Sequence, residues 1–452
     1  MNKKLEEFKK YIKGKHVLLL GVGVSNKPLI KMLLSYGARV TGCDKNQKAA
    51  SGFFEEMKMG ASFVLGENYL DNLDADIIFK TPGIREDIPE LREAKRQGTI
   101  VTNEMEAFFE LCPCKIVAVT GSDGKTTTTT LIHNILTKSG KCCHLGGNIG
   151  KPLLPEIENI KEDDIAVVEL SSFQLMSMKK SPDIAVITNI TPNHLDVHKS
   201  MEEYVEAKKN VFKYQDKDGL LVLNQKNDIT ASFKGQASSK TVFFGGNESE
   251  IRQDGNFIYY GTDPILDVND ILIPGAHNVE NFMAAIGAVY DIADKDSIYE
   301  VAKTFKGVEH RIEFVKEIDG VRFYNDSIAS SPTRARAGLH AFDKKVILIA
   351  GGYDKKIPFD DFGHDIKERV KRLYLIGDTA PKIKEAVLKA SGGQRLIPII
   401  TQYTTMESVV KEAYMSAQAG DIVLLSPACA SFDMYSNFEE RGKKFKELVK
   451  KL

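Results

Sequence analysis

Between Ile116 and Thr130 the chain runs IVAVTGSDGKTTTTT, a β-forming stretch that breaks at Thr120-Gly121-Ser122-Asp123-Gly124-Lys125-Thr126-Thr127 and continues in helix-compatible sequence to Lys138. A strand, a glycine-rich loop and a helix start make an anion cradle. The glycines let backbone N–H groups turn inward, a lysine lies along the β- and γ-phosphates, and a threonine hydroxyl reaches Mg²⁺. Gly121, Ser122, Asp123, Gly124, Lys125, Thr126 and Thr127 are therefore expected to hold ATP. The spacing departs from the usual phosphate loop, because Gly121 precedes Gly124 by only three positions and Val119 stands where the first glycine normally falls.

Further candidates follow in order. Glu169 closes the apolar run DIAVVEL, and ligands of open α/β sheets gather at the carboxyl ends of strands, so Glu169 is expected near Lys125 and Thr126 as a Mg²⁺ ligand. The run 183–190 leads into TPNHLDVH, which puts His194, Asp196 and His198 in one short loop as metal or outer-shell positions. Residues 201–214 read as an amphipathic helix carrying Lys208 and Lys209; on composition alone both are solvated charges. Asn278 and Asn281 lie three apart at a helix start, where their amides can meet a base edge or cap the helix. Glu309-His310-Arg311 and Asn325-Asp326-Ser327 bring polar groups to the entry and first strand end of the last region.

The elements that must position these residues alternate strand and helix. In the first hundred residues the runs 16–25, 38–44 and 76–84 are strands, with a helix at about 28–36, and Val17–Val24 reads as a buried first strand. Gly21 and Gly23 sit at the first strand-to-helix turn and Asp44 ends the second strand, the layout of a dinucleotide-binding fold. Asn26 occupies the place of the third fingerprint glycine, which leaves both NAD and a nucleotide that stops at its diphosphate open. A second α/β unit starts with the phosphate loop and acquires short β segments after Gly219. A third begins near Arg311, with strands at 321–326, 344–352, 372–378 and 421–427. The expected fold class is α/β in three domains: an N-terminal Rossmann-like domain (1–104), a central ATPase-like parallel sheet with extra β segments (105–308) and a C-terminal Rossmann-like domain (309–452).

Sixty-one basic against 62 acidic residues, a net charge of -1, give no footprint for nucleic acid, so any phosphate must be held by local geometry. No run approaches the ~20 apolar residues of a membrane span, and the short N-terminal apolar run lacks a cleavage site, so a cytoplasmic location without membrane insertion is expected. The six cysteines lack both a disulfide framework and zinc-knuckle spacing and read as reduced thiols.

Taken together, TGSDGKTT, ELSSFQ, TNITPNHLD, the helix bearing EAKK, GAHNVEN, His310-Arg311 and NDS at 325–327 resemble the Mur ligase family, ATP-dependent amide-forming enzymes of peptidoglycan precursor synthesis, in the family's order over nearly the whole chain. VELSSFQL and SPACASFDMYSNFEERG at 426–442 are most similar to the members that add D-glutamate to UDP-N-acetylmuramoyl-L-alanine. The resemblance implies a UDP-sugar domain, an ATP domain and an amino-acid domain, in that order, and a monomer. Val24, Ser25, Asp44, Lys45, Thr81, Gly83, Asn148 and His194 would then bind the UDP-sugar. Asn278, Asn281, His310, Arg311 and Asp326 would line the nucleotide, and Lys355, Ser431, Phe432 and Phe438 would surround D-glutamate. Thr126 and Glu169 would hold one Mg²⁺, and His194 a second with Lys208, a position often carbamylated in the family. Lys125, His194 and Lys208 are thus the expected catalytic residues. Two departures stand out: Asp123, where asparagine is commoner, and Ile328, where some members carry lysine.

Overall fold

The computed structural model describes residues 2–192, 198–394 and 396–452. Among them the strands form three sheets, of five, nine and six strands.

The first sheet has the order β3-β2-β1-β4-β5, with β1 at His16–Leu20, β2 at Arg39–Asp44, β3 at Ser62–Leu65, β4 at Ile77–Lys80 and β5 at Ile100–Thr102. All its pairings are parallel, and Leu20 stands opposite Cys43 on one side and Lys80 on the other. The order reverses between β1 and β4, so the crevice for a ligand opens beyond their carboxyl ends. The first strand is shorter than expected. It stops at Leu20 because Gly21 turns to φ 80, and Val24 is 79% exposed rather than buried.

The central sheet runs β14-β13-β12-β11-β10-β9-β6-β8-β7. Its parallel part comprises β6 (Lys115–Thr120), β7 (Cys143–Gly147), β8 (Ile165–Glu169), β9 (Ile184–Ile187), β10 (Leu220–Asn224), β11 (Lys240–Phe244) and β12 (Ile251–Asp254). The short segments foreseen after Gly219 end it as an antiparallel extension, β13 (Phe257–Tyr260) and β14 (Asp263–Asp267). Val17, Leu19 and Phe79 of the first sheet join Phe108, Ile116, Val168 and Ile187 in one buried apolar cluster, so these two sheets share a core.

The third sheet has the order β15-β16-β20-β17-β18-β19, from Glu313–Ile318, Val321–Asn325, Ile422–Leu425, Val346–Ala350, Val370–Leu375 and Ile399–Ile400 respectively. Only the β15–β16 pairing is antiparallel. Successive residues of β17 and β20 alternate faces: Leu348 and Leu424 pack with Phe362 and Ile366, while Ile347, Ile349 and Val423 pack with Phe445 and Val449. Both faces are covered, as a parallel sheet requires. By Cα proximity the chain divides into two units, one holding the first two sheets and the other residues 269–279 and 302–452. No described helix is long and apolar enough to cross a membrane.

Candidate active site

Strand β6 lies between β8 and β9, so the loop that leaves it emerges at the middle of the carboxyl edge. Two glycines shape that loop. Gly121 has φ 151 and Gly124 φ 78; a Cβ on Gly121 would stand 1.9 Å from Thr188 Oγ1, and one on Gly124 2.4 Å from Asn281 Oδ1. The end of β9 pins the turn from beside it. Ser122 N donates to Asn189 O (2.8 Å), Asp123 N to Asn189 Oδ1 (2.9 Å) and Thr188 Oγ1 to Asp123 O (2.5 Å). Ser122 Oγ also meets the Tyr204 hydroxyl at 2.9 Å, so its side chain and amide both serve the loop itself.

The helix expected through Lys138 spans Lys125–Lys138 and begins at the left-handed Gly124. Its first turn carries amides that have no intrahelical acceptor and point where an anion would sit. Lys125 Nζ folds back to donate to Ser122 O at 2.8 Å. Thr126 Oγ1 donates to Glu169 Oε2 at 2.7 Å, and Asn148 Nδ2 donates to Glu169 Oε1 at 2.7 Å, which brings the three expected side chains into one cluster at the ends of β7 and β8. The donors there are a hydroxyl and a carboxylate. That is the hard oxygen set Mg²⁺ prefers.

Lys208 corrects the expectation of a solvated charge. The helix carrying it spans Met201–Lys209, ending five residues earlier than its apolar pattern suggested, and Lys208 is 1% exposed. Its Nζ donates to Gly121 O at 2.7 Å and lies 4.7 Å from the centre of the Tyr204 ring. Burial, reinforced by the charge of Lys125, pushes its pKa well below the usual lysine value. Lys209 is half-buried rather than freely solvated: its Nζ pairs with Glu206 at 2.7 Å and sits 5.2 Å from the centre of the Phe233 ring. Neighbours on a helix point in different directions, and only one of this pair faces the loop.

His194 and Asp196 lie outside the described residues. His198 is buried; it contacts Ser172 Oγ at 2.9 Å and stacks on Phe173 with centroids 5.2 Å apart. The helix start beside it is tied to the first sheet through Arg85, which donates to Glu203 Oε1 at 2.7 Å and to Asp87 Oδ1 at 2.8 Å. Residue type alone did not mark this clamp, nor Tyr204.

In the first sheet, Asp44 ends β2, and Val24, Ser25, Lys45, Thr81 and Gly83 follow the carboxyl ends of β1, β2 and β4. Asp44 accepts from Val22 N and Asn46 N at 2.9 and 2.8 Å, and Lys45 pairs with Glu67 at 3.4 Å. Thr81 packs so closely against Gly21 that a Cβ there would lie 2.7 Å from Thr81 Cγ2. Asn26, in place of the third glycine, is fully buried and donates to Leu20 O, Gly21 O and Phe79 O, lacing β1 to β4. Asn281 Oδ1 accepts from Thr128 Oγ1 of the phosphate-loop helix at 3.3 Å.

The other unit gathers the rest. Asn278 Nδ2 donates to Pro274 O at 2.5 Å, a tie from the helix's first turn to the carbonyl before it. His310 is buried, its Nδ1 2.9 Å from Asn325 Nδ2, and burial lowers its pKa. Asp326 accepts from Ser426 Oγ at 2.7 Å and from Ile312 N at 3.3 Å, and burial pushes its carboxyl up to about 7. Arg311 precedes Ile312 in the same turn. Phe438 meets His310 edge-on at 6.0 Å, and Phe432 meets Tyr353 at 5.8 Å. A bridge between Tyr353 and Ala430 sets the exposed Lys355 loop beside the Ser431–Phe432 loop. Ile328 spends its amide on His310 O at 3.1 Å. Missed in the sequence was Arg441, 1% exposed, which donates to Ser327 Oγ, Ser327 O and Ala430 O and so ties the 325–327 and 426–431 segments together.

Residues 119–289 match the Mur ligase middle domain and residues 310–429 the Mur ligase glutamate ligase domain. The UDP-N-acetylmuramoylalanine–D-glutamate ligase of Acetivibrio thermocellus is 56% identical over 462 aligned positions, 99% of each chain, and that of Clostridium tetani is 50% identical over 461, all of each chain. Among solved structures, the UDP-N-acetylmuramate-alanine ligase of Thermotoga maritima superposes with a TM-score of 0.60 at 19% identity, covering 97% of this chain and 99% of that one. MurF of Acinetobacter baumannii gives 0.59 at 16% identity, covering 97% and 92%. These two likenesses are of fold.

Proposed function

The chain belongs to the Mur ligase family, and from that premise we propose that it joins D-glutamate to the L-alanine carboxylate of UDP-N-acetylmuramoyl-L-alanine, with cleavage of ATP to ADP and phosphate, in peptidoglycan precursor synthesis. The geometric observation that carries the reading is the convergence of Lys125, Thr126, Glu169 and buried Lys208 on one loop at the head of a helix. The two substrates that are joined follow from the full-length relatives, whose names print UDP-N-acetylmuramoylalanine and D-glutamate, while ATP follows from the phosphate loop.

In this mechanism the L-alanine carboxylate attacks the γ-phosphate and displaces ADP, giving an acyl phosphate; the D-glutamate amine then attacks the acyl carbon, and phosphate leaves as the amide forms. Gly121 to Thr127 cradle the phosphates with backbone N–H groups, and Lys125 swings from Ser122 O to the transferred phosphoryl oxygens. Mg²⁺, held by Thr126 and Glu169 and at a second position by His194 and Lys208, would neutralise charge between two anionic reactants. Asn148, bonded to Glu169, orients the muramoyl end. Val24, Ser25, Asp44, Lys45, Thr81 and Gly83 hold the uridine diphosphate, with His194 at its sugar end. Asn278, Asn281, His310, Arg311 and Asp326 surround the nucleotide, and Lys355, Ser431, Phe432 and Phe438 receive D-glutamate. His194 is the acceptor for the proton the amine loses.

Lys208 is the carbamylation site in this reading. The buried ammonium first gives up a proton, and the neutral amine then adds to CO₂ and loses a second one as the carbamate forms, so a cation becomes an anion beside the phosphates with two protons released. The three sheets support domains at 1–104, 105–308 and 309–452 for UDP-sugar, ATP and amino acid. A cytoplasmic monomer without nucleic-acid partners agrees with soluble substrates and near-zero net charge. The test is ADP release with UDP-N-acetylmuramoyl-L-alanine and ATP across a panel of amino acids. D-glutamate alone should support turnover; equal turnover with L-alanine or a diamino acid would refute the assignment.

A further inference from the structure

At the amino end of the central sheet, opposite the phosphate loop, Cys142, His144 and Asp164 stand together. One ligand-capable atom from each lies within 4.8 Å of the other two. The sheet itself brings them there. β7 is the edge strand, Ile165 N donates to Cys142 O at 2.9 Å, and Cys142 and His144, two apart, project from the same face. Asp164 precedes β8; its Oδ2 lies 2.8 Å from His144 Nε2 and accepts from Lys161 N at 2.9 Å. Asp164 is buried, His144 half-buried and Cys142 exposed. A histidine–aspartate pair alone is a common surface tie. The thiol at the third corner is what such a tie does not require.

We infer that Cys142, His144 and Asp164 form a binding site for a borderline divalent cation, Zn²⁺ above all, separate from the Mg²⁺ position at Glu169. Nitrogen, sulfur and one carboxylate oxygen are the zinc donor set, whereas Mg²⁺ takes oxygen. Bonds of about 2.0–2.3 Å in a tetrahedron put ligand atoms roughly 3.3–3.8 Å apart, so the His144–Asp164 contact opens by roughly 0.5 Å. The thiol, within 4.8 Å of both partner atoms, closes by at most about 1.5 Å. On binding, Cys142 releases its proton to solvent, His144 carries its ring proton on Nδ1 so that Nε2 presents a lone pair, and Asp164 keeps the Lys161 N–H. Two anionic ligands balance the dication. The exposed side of Cys142 leaves the fourth position to water. The five positions from Cys142 to Gly147 span about 16 Å of strand, so the cation staples the start of an otherwise open edge strand and leaves the phosphate loop alone.

Titration of the chelator-stripped full-length chain with Co²⁺ tests the site, because cobalt bound to a thiolate gives a near-ultraviolet charge-transfer band that oxygen-bound cobalt lacks. The band is expected with the first equivalent, displaced by Zn²⁺, retained in Cys143→Ser and lost in Cys142→Ser. Loss of an outer partner of a metal ligand already costs roughly 10–100-fold in affinity, so Zn²⁺ binding measured against a chromophoric chelator should weaken at least that much in Cys142→Ser and in His144→Ala. Cys142 is exposed, and an unchanged melting curve of the metal-free variant checks that it folds. No charge-transfer band in the unaltered chain overturns the site. So does a band that survives Cys142→Ser, which would move the thiolate to another cysteine such as the Cys112–Cys114 pair, whose sulfurs lie 3.5 Å apart.

Discussion

Lys125 and Lys208 bring two amines to adjacent carbonyls of one loop, Ser122 O and Gly121 O. Like charges this close repel, and the buried member sheds its proton more readily. That asymmetry suits one lysine for holding phosphate and the other for reacting with CO₂. Lys125→Ala is expected to lower muramoyl-dependent ADP release by about 10²–10³-fold or more, the scale of losing one preorganised charge-stabilising group; near-normal turnover would take the loop out of the mechanism. Lys208→Ala should be inactive yet recover activity when a small carboxylate is supplied, and activity without rescue would dispose of the carbamate. Asp123 is engaged through its main chain by Asn189 and Thr188, while its exposed carboxylate works against the lowering of the Lys208 pKa. Lys125, Thr126 and Glu169 were legible in the chain because glycine spacing and strand ends restrict where the backbone can go. Lys208 was not, since its burial depends on where the whole helix lands.

At the scale of elements, the turn between β6 and the phosphate-loop helix is held by contacts from β9 and from Tyr204, and the Arg85–Glu203 clamp ties the Tyr204 helix to the first sheet. Gly124 is the tightest constraint. Alanine there has a left-handed conformation costing about 1–2 kcal/mol and a Cβ that collides with Asn281 Oδ1. Gly124→Ala should lower the midpoint of chemical denaturation and weaken ATP binding more than Gly140→Ala, which is also left-handed but meets nothing within 4 Å. Equal losses in the two variants would mean that the phosphate loop tolerates displacement. The local signals of this turn were read correctly, down to the last helical residue. The early stop of the Met201–Lys209 helix was not, because apolar residues continue past it to pack as a turn, with Val211 and Phe212 buried.

For the molecule as a whole, burial leaves Glu104 and Glu106 in one unit and Asp326 in the other with carboxyls raised to about 7. A carboxyl raised on folding binds its proton more tightly in the folded chain, so its contribution is present at low pH and is lost as pH rises from the unfolded value towards about 7. Glu104→Gln keeps an acceptor for Leu154 N and removes that titration. Its melting temperature relative to the unaltered chain should therefore rise between pH 5 and pH 8, and a constant difference would show that Glu104 does not titrate in this range. The sequence by itself determined the alternation of strand and helix, the phosphate loop, the motif order and hence the family, because these depend on periodicity and on glycine positions within a few residues. Tertiary structure alone decided which of two adjacent lysines is buried, that Arg441 joins two distant loops and that Cys142, His144 and Asp164 meet. Each of those depends on how separate segments pack, and spacing along the chain carries no record of that.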